Sequence, residues 1–499
     1  MFFVSLNWFK RLFSVICFVS SKITLTLVIV QFLLENNTHA SNLYLFTIMK
    51  RILVNLLFIA FLFSLICCKT NTLSNTDTTQ IEGHPAWIMQ SNIYEVNVRQ
   101  YTPEGTLNAF AKHLDRLKAM GVETIWFMPI NPISKVDRKG SLGSYYAVSD
   151  YTSINPEFGT MEDFKKVVQA IHDKGMKVII DWVPNHTGAD HRWLTEQPDF
   201  FIKDQSGRAA VAFDWNDARQ LDYKNQVMQD SMVAAMQFWV KETDIDGYRC
   251  DVAWNVPASF WHKSIPQLKK MKNVFMLAEG DSTYLPKSGF DAVYPWHMFK
   301  IMEKIAKGEK PATGLDSINK ENKTRYPENT IQMYFTSNHD ENSWNHADFG
   351  SFPGDVHAPF AVFTQTMKNS VPLIYSGQEE PVLRALKFFD KDPISFEKFQ
   401  RENFYKTLLA LRKRNAALAA DASFKKADIG DERTIYAYTR EKGNKKILVI
   451  LNLSATEQSI VIKDQALIGN AYNVFKEKSE VLNSNERKMK PWGYEIYEY

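Results

Sequence analysis

Eight short apolar segments, separated by stretches with helical periodicity, constrain this chain more than any other feature. They fall at residues 93–98, 124–128, 177–181, 246–250, 274–279, 290–294, 331–335 and 372–376, the first reading IYEVNV and the last PLIYS. Strands that alternate with amphipathic helices lie parallel, because each helix returns the chain to the same end of the sheet. Eight such units close a barrel. The expected class is therefore α/β, a (β/α)8 TIM barrel over residues 85–418.

Two connecting helices are legible in detail. Leu107, Phe110, Leu114 and Leu117 share one face of a helix predicted over 106–120, with Gly121 as its left-handed cap. Thr160 and Asp163 form a capping box ahead of the stripe Phe164, Val167, Val168 and Ile171, and Gly175 stops that helix. The rhythm fails over 187–222, where Gly, Asp, Asn and Pro predict a short inserted loop domain after the third strand. After an amphipathic helix over 404–414, the segments TIYAYTR, KKILVILNLS and GYEIYEY predict a C-terminal antiparallel β domain over 419–499.

The N-terminal region reads differently. Residues 49–68, MKRILVNLLFIAFLFSLICC, place two cations before an apolar run, which is the layout of a lipoprotein-type signal peptide with Cys68 as the lipid-anchored first residue. Residues 69–84 are a polar tether, and 1–48 read as an upstream extension outside the mature protein. The apolar run at 12–34 has the length of a membrane span, so an N-terminal membrane helix is the alternative. The expected location is that of an exported, membrane-anchored lipoprotein, periplasmic or at the cell surface. Of four cysteines only Cys250 lies in the body of the chain, so no disulfide staples the fold.

Lys plus Arg number 59 against 56 for Asp plus Glu, a net +3 that argues against nucleic acid as partner and for a neutral ligand. In a parallel barrel the site lies at the C-terminal ends of the strands. Polar residues gather there: the third strand runs into DWVPNH, the fourth into Arg249 and Asp251, the fifth into Glu279, and the seventh into His339 and Asp340. Cleaving an acetal between sugars needs one carboxylate at the anomeric carbon and one carboxylic acid at the departing oxygen. Neighbouring strands four and five can hold Asp251 and Glu279 about 5 Å apart, the spacing of a retaining pair. Arg249 faces the same side as Asp251, and its charge is expected to keep that carboxylate ionised.

From about residue 87 to the C-terminus the ordered motifs resemble the α-amylase family of glycoside hydrolases. IYEVNVRQYTPEGT is similar to its first strand, GVETIWFMPI to the second, YAVSDYTSINPEFGT to the loop that follows, and DWVPNH, GYRCDV, AEGD, SNHDEN and LIYSGQE to strands three, four, five, seven and eight. The resemblance implies a retaining glycosidase acting on α-1,4-glucans such as starch or maltodextrins. In it Asp251 is the nucleophile, Glu279 the acid/base, and Asp340 the carboxylate that grips ring hydroxyls. Arg249 orients Asp251, His186 and His339 bond the sugar, and Tyr146 stacks beneath it.

Two departures stand out. Where many relatives carry a Lys-His pair, this chain has Trp254 and Asn255, and Trp254 is expected to supply a stacking platform for substrate. The lost histidine argues against a structural calcium ion, although Asn185 matches a family ligand and Asp214 or Asp217 offer further oxygens. No cofactor is required for the chemistry. A transglycosylase, an α-glucosidase or neopullulanase-type enzyme of the same family, and a non-catalytic glucan-binding protein stay open as alternatives.

Overall fold

The structure, a computed structural model, describes residues 78–499. The signal-like segment with Cys68, the extension before it and most of the tether lie outside the described residues. No helix among the described residues is long and apolar enough to cross a membrane.

Eight parallel strands form one curled sheet: β1 (Ile93–Val96), β2 (Thr124–Phe127), β3 (Lys177–Trp182), β4 (Gly247–Cys250), β5 (Phe275–Ala278), β6 (Ala292–Val293), β7 (Ile331–Gln332) and β8 (Leu373–Tyr375). They follow chain order around the sheet, with β8 beside β1. Backbone bonds from Gln332 N to Asn369 O (2.7 Å), Val371 N to Gln332 O (3.1 Å) and Leu373 N to Tyr334 O (2.8 Å) join β7 to β8 and close the barrel.

Strand alternation sorts side chains between lumen and helix shell. Ile93, Trp126, Ile179, Phe275 and Leu277 fall in one buried cluster, whereas Tyr94, Phe127, Ile180, Tyr248 and Met276 pack with the surrounding helices in another. On the inward parity of the same strands lie Glu95, Asp181 and Arg249, all fully buried. Register sets Asp181 opposite Arg249, and Arg249 opposite Leu277. One step of the same parity beyond the strand ends stand Asp251 and Glu279. Gly247 permits this close approach: its φ is +156°, and a Cβ there would meet Phe275 O at 2.0 Å.

The helix expected over 106–120 is broken into Leu107–Ala111 and Leu114–Met120 by a turn at 112–113, with Thr106 capping the first and Gly121 (φ +104°) closing the second. Thr160 and Asp163 make the reciprocal capping box of Met161–Asp173. After β3, strands His186–Gly188, Val211–Ala212 and Trp215–Gln220 form a three-stranded sheet. Lys139–Asp217 (3.1 Å) and Arg219–Asp137 (2.9 Å) tie it to the loop after β2. Helix Glu402–Arg414 precedes an antiparallel sheet of six strands: β9 (Lys425–Lys426), β10 (Ile435–Lys442), β11 (Lys445–Asn452), β16 (Tyr494–Glu498), β13 (Gly469–Asn473) and β14 (Lys478–Leu482), in spatial order. A separate pair joins β12 (Gln458–Ile460) to β15 (Arg487–Met489).

Candidate active site

The C-terminal ends of the strands surround a cavity of about 370 Å³ whose wall includes Tyr146, His186, Asp251, Glu279, His339 and Asp340. Arg249 lies behind this wall, wholly buried, and organises it. Its Nη1 donates to Asp181 Oδ1 and to Asp251 Oδ1, both at 2.9 Å, and its Nε to the Tyr294 hydroxyl at 3.2 Å. Nη2 faces Glu279 Oε1 at 3.2 Å as an ion pair. Asp251 and Glu279 are thus held on neighbouring nitrogens of one guanidinium. The Val252 N–H donates to Glu279 Oε2 at 2.6 Å. Val252 reaches this position with φ +44°, a left-handed conformation that costs a β-branched residue about 1–3 kcal/mol.

Three carboxylates around one cation leave the cluster short of positive charge. Burial, and then the charge of Glu279, push Asp251 well above the usual carboxylate range, against the pull of Arg249. Burial likewise pushes Asp181 up to about 7, against Arg249 and His339. The Arg249 guanidinium that faces Asp251 is thus divided among three acids.

The two histidines differ. Burial holds His186 down to about 4, so it is neutral, with its ring edge-on to Trp215 at 5.1 Å between centroids. His339 lies between Glu95 and Asp340, with Nδ1 at 2.5 Å from Glu95 Oε1 and Nε2 at 3.2 Å from Asp340 Oδ2. Burial pushes Asp340 up, but the charge of His339 and its hydrogen bond outweigh that and hold the carboxyl below its ordinary range. Tyr146 stacks on His339 (5.5 Å, 22°), and its hydroxyl meets both His339 Nε2 (2.7 Å) and Asp181 Oδ2 (3.2 Å).

Trp254 is not part of the cavity wall. It stands 47% exposed at the rim, 5.9 Å from Phe213, where the turn after Asp251 carries it past the opening. The aromatic residues that do line the cavity are Trp215, Trp344, Phe388 and Phe389, besides Tyr146. Sequence reasoning also passed over Asp181 and Glu95 as site residues. The signal for both was strand parity, since each lies two residues or fewer from a strand end on the inward face.

The residues proposed for calcium do not fit one. Gln220 Nε2 donates to the backbone oxygen of Asn185 (2.9 Å) and to Asn185 Oδ1 (3.1 Å), which fixes both amide orientations. Asn255 Nδ2 donates to the same Oδ1 at 2.8 Å. The one oxygen matching a metal ligand thus faces two N–H groups, which would repel a cation. Asp217 is paired with the Lys139 ammonium at 3.1 Å, and Asp214 stands exposed on the cavity rim.

Residues 70–403 match the family model described as alpha amylase, catalytic domain, and residues 435–493 match the alpha-amylase SusG C-terminal domain. The chain is 26% identical to alpha-amylase MalA of Haloarcula japonica over 75% of its own length, and spans 57% of that relative. It is 25% identical to alpha-amylase 3 of Dictyoglomus thermophilum, covering 83% of this chain and 93% of the relative. Among solved structures, the maltogenic α-amylase AmyB of Thermotoga neapolitana superposes with a TM-score of 0.75 at 27% identity, covering 83% of this chain and all (100%) of that one.

Proposed function

Because the chain belongs to the α-amylase catalytic-domain family, we propose that it is a retaining glycosidase that cleaves α-1,4-glucosidic bonds in starch, maltodextrins or related α-glucans. The observation that carries this reading is the pairing of Asp251 and Glu279 on adjacent nitrogens of one buried guanidinium. In a retaining reaction the two acids flank one anomeric carbon, about 5–5.5 Å apart. Asp251 attacks that carbon while Glu279 gives its proton to the departing glycosidic oxygen. The covalent glycosyl-enzyme is then opened by a water whose proton returns to Glu279, restoring both groups. Asp340 and neutral His186 bond the ring hydroxyls, and Tyr146 offers its face to the ring. No cofactor takes part.

Sugar release from amylose, pullulan and cyclodextrins, measured side by side, tests the reading. Reducing ends are expected from at least one α-1,4 substrate, with the first-formed anomer retained by NMR. Binding without release would favour a glucan-binding protein, and early products longer than a maltoheptaose substrate would favour a transglycosylase. On the signal-like sequence alone we also propose export and anchoring through a lipid on Cys68. An intact mass beginning at diacylated Cys68 is expected for the membrane-extracted protein, and retention of residue 49 at its N-terminus would sink the proposal.

A further inference from the structure

We infer that Glu95 is a positioning residue: it holds His339 as an imidazolium, and that cation in turn keeps Asp340 ionised and Tyr146 oriented against the sugar-binding cavity. The functional half of this inference rests on the glucan-cleaving reading; the structural half stands on geometry alone.

Glu95 occupies the inward face of β1 and is fully buried, with Oε2 lacking any hydrogen-bond partner. Its Oε1 lies 2.5 Å from His339 Nδ1. An uncompensated carboxylate is costly at such depth, so the ring beside it is its natural counter-charge. The opposite side of the ring decides its other proton. The Tyr146 hydroxyl donates to Asp181 Oδ2 at 3.2 Å, which leaves its oxygen free to accept from His339 Nε2 at 2.7 Å. Asp340 Oδ2, 3.2 Å from Nε2, can only accept as a carboxylate. Every group facing the ring nitrogens is thus an acceptor, and a ring with acceptors on both sides carries both protons.

The surroundings agree from each packed element. Beside Glu95 on β1 and Asp340 next to the ring, β3 contributes Asp181, β8 contributes Tyr375 beside Glu95, and β2 sets the edge of Trp126 5.9 Å from the ring. Arg249, a fixed cation acting on these acids, is already divided among Asp181, Asp251 and Glu279. Burial lowers the affinity of His339 for its proton, but Asp340 and Glu95 raise it further, and the imidazole stays protonated well above its ordinary range. Burial also pushes Glu95 upward against the pull of the ring, so the proton between the two is held tightly from both sides.

Histidine-labelled 15N NMR of the full chain reads the ring directly, with the His339 signal assigned by its loss in His339→Gln. In the wild type that ring is expected to be doubly protonated at pH 7.5. In Glu95→Gln, which keeps an acceptor of the same shape but no charge, it is expected to titrate about 1–3 pH units lower. The alkaline limb of kcat/KM on maltotriose should move down with it, while KM at pH 5.5 changes little. A neutral His339 in the wild type at pH 7 would overturn the inference even if the variant failed to fold. So would a variant whose ring and pH profile match the wild type, leaving Glu95 a packing residue. A wild type that releases no sugar from any α-glucan would sink the proposed function, yet the ring titration would still decide the assignment of Glu95.

Discussion

Asp251, the proposed nucleophile, illustrates how a side chain can oppose the fold that holds it. It shares the Arg249 guanidinium with Asp181 and Glu279, and burial and Glu279 together push its proton affinity up. In the unfolded chain it would ionise near the ordinary value of about 4. Between that value and its raised folded one, the folded state binds the proton more strongly, so ionising Asp251 costs stability as pH rises. Asp251→Asn removes the penalty while Arg249 keeps two acidic partners. The variant is expected to lose at least about 10³-fold in turnover and to gain stability on the order of 1 kcal/mol at pH 8, with no gain below about pH 4. Paired urea titrations at the two pH values check this, and equal midpoints at both would refute it. The convergence of Asp251, Glu279 and Arg249 at one rim was legible because each stands at the end of an apolar strand. Trp254 stands at the rim and not in the cavity wall, and a turn, unlike a strand, gives no parity from which to read direction. Trp344, Phe388 and Phe389 sit on long loops after β7 and β8, where the sequence carries no period at all.

At the scale of elements, the opposite end of β4 carries stability without chemistry. Asp246, just before that strand, accepts from Val178 N (2.9 Å) and from His172 Nε2 (2.7 Å) and pairs with Lys177 and Lys272 at 3.1 Å each. It therefore clips β4 to β3 and to two helical segments. Burial alone would raise its proton affinity, but the His172 bond and the two lysine charges outweigh burial and hold the carboxyl far below its usual range. A depressed acid stabilises the fold fully above its unfolded value near 4 and loses that contribution as pH falls toward its folded one. Asp246→Asn is expected to cost about 2–4 kcal/mol at pH 7, a difference that shrinks below about pH 4. Because the residue lies at the N-terminal end of the barrel, kcat should stay within about twofold of wild type. Denaturant unfolding beside kinetics separates the two effects, and a large fall in kcat would show that the strand transmits strain to the site. Periodicity read most elements correctly, but not the break in the helix over 106–120. Lys112 and His113 sit between apolar positions that suit one face, and only tertiary packing decides that the turn opens there. Strands β6 and β7 are shorter than their apolar runs: the run of β7 continues past the ladder toward the rim, and that of β6 extends on both sides of its ladder.

For the whole molecule, the question is what fastens the inserted sheet over 186–220 to the barrel. Part of one cavity wall, Trp215, comes from it, so its placement governs the shape of that cavity. Its fastenings are direct. The amides of Gln220 and Asn255 converge on Asn185, joining the insert to the ends of β3 and β4, and the pairs Lys139–Asp217 and Arg219–Asp137 join it to the loop after β2. An amide network centred on the buried Asn185 can perform the bridging that a cation performs elsewhere, and it needs no ion from solution. Dialysis against a strong chelator is accordingly expected to leave both the melting temperature and the rate of glucan cleavage unchanged. A sharper form of the same expectation comes from Asn255→Asp. That change removes the N–H aimed at Asn185 Oδ1 and sets carboxylate oxygens beside it, so two acceptors face each other at the distance where a donor was. Stability should fall by about 1–3 kcal/mol, and millimolar calcium should restore part of it in the variant alone. A wild type that loses its melting temperature in chelator, regained with calcium, would mean that the insert is held by a metal and that the amide clamp is not what fastens it.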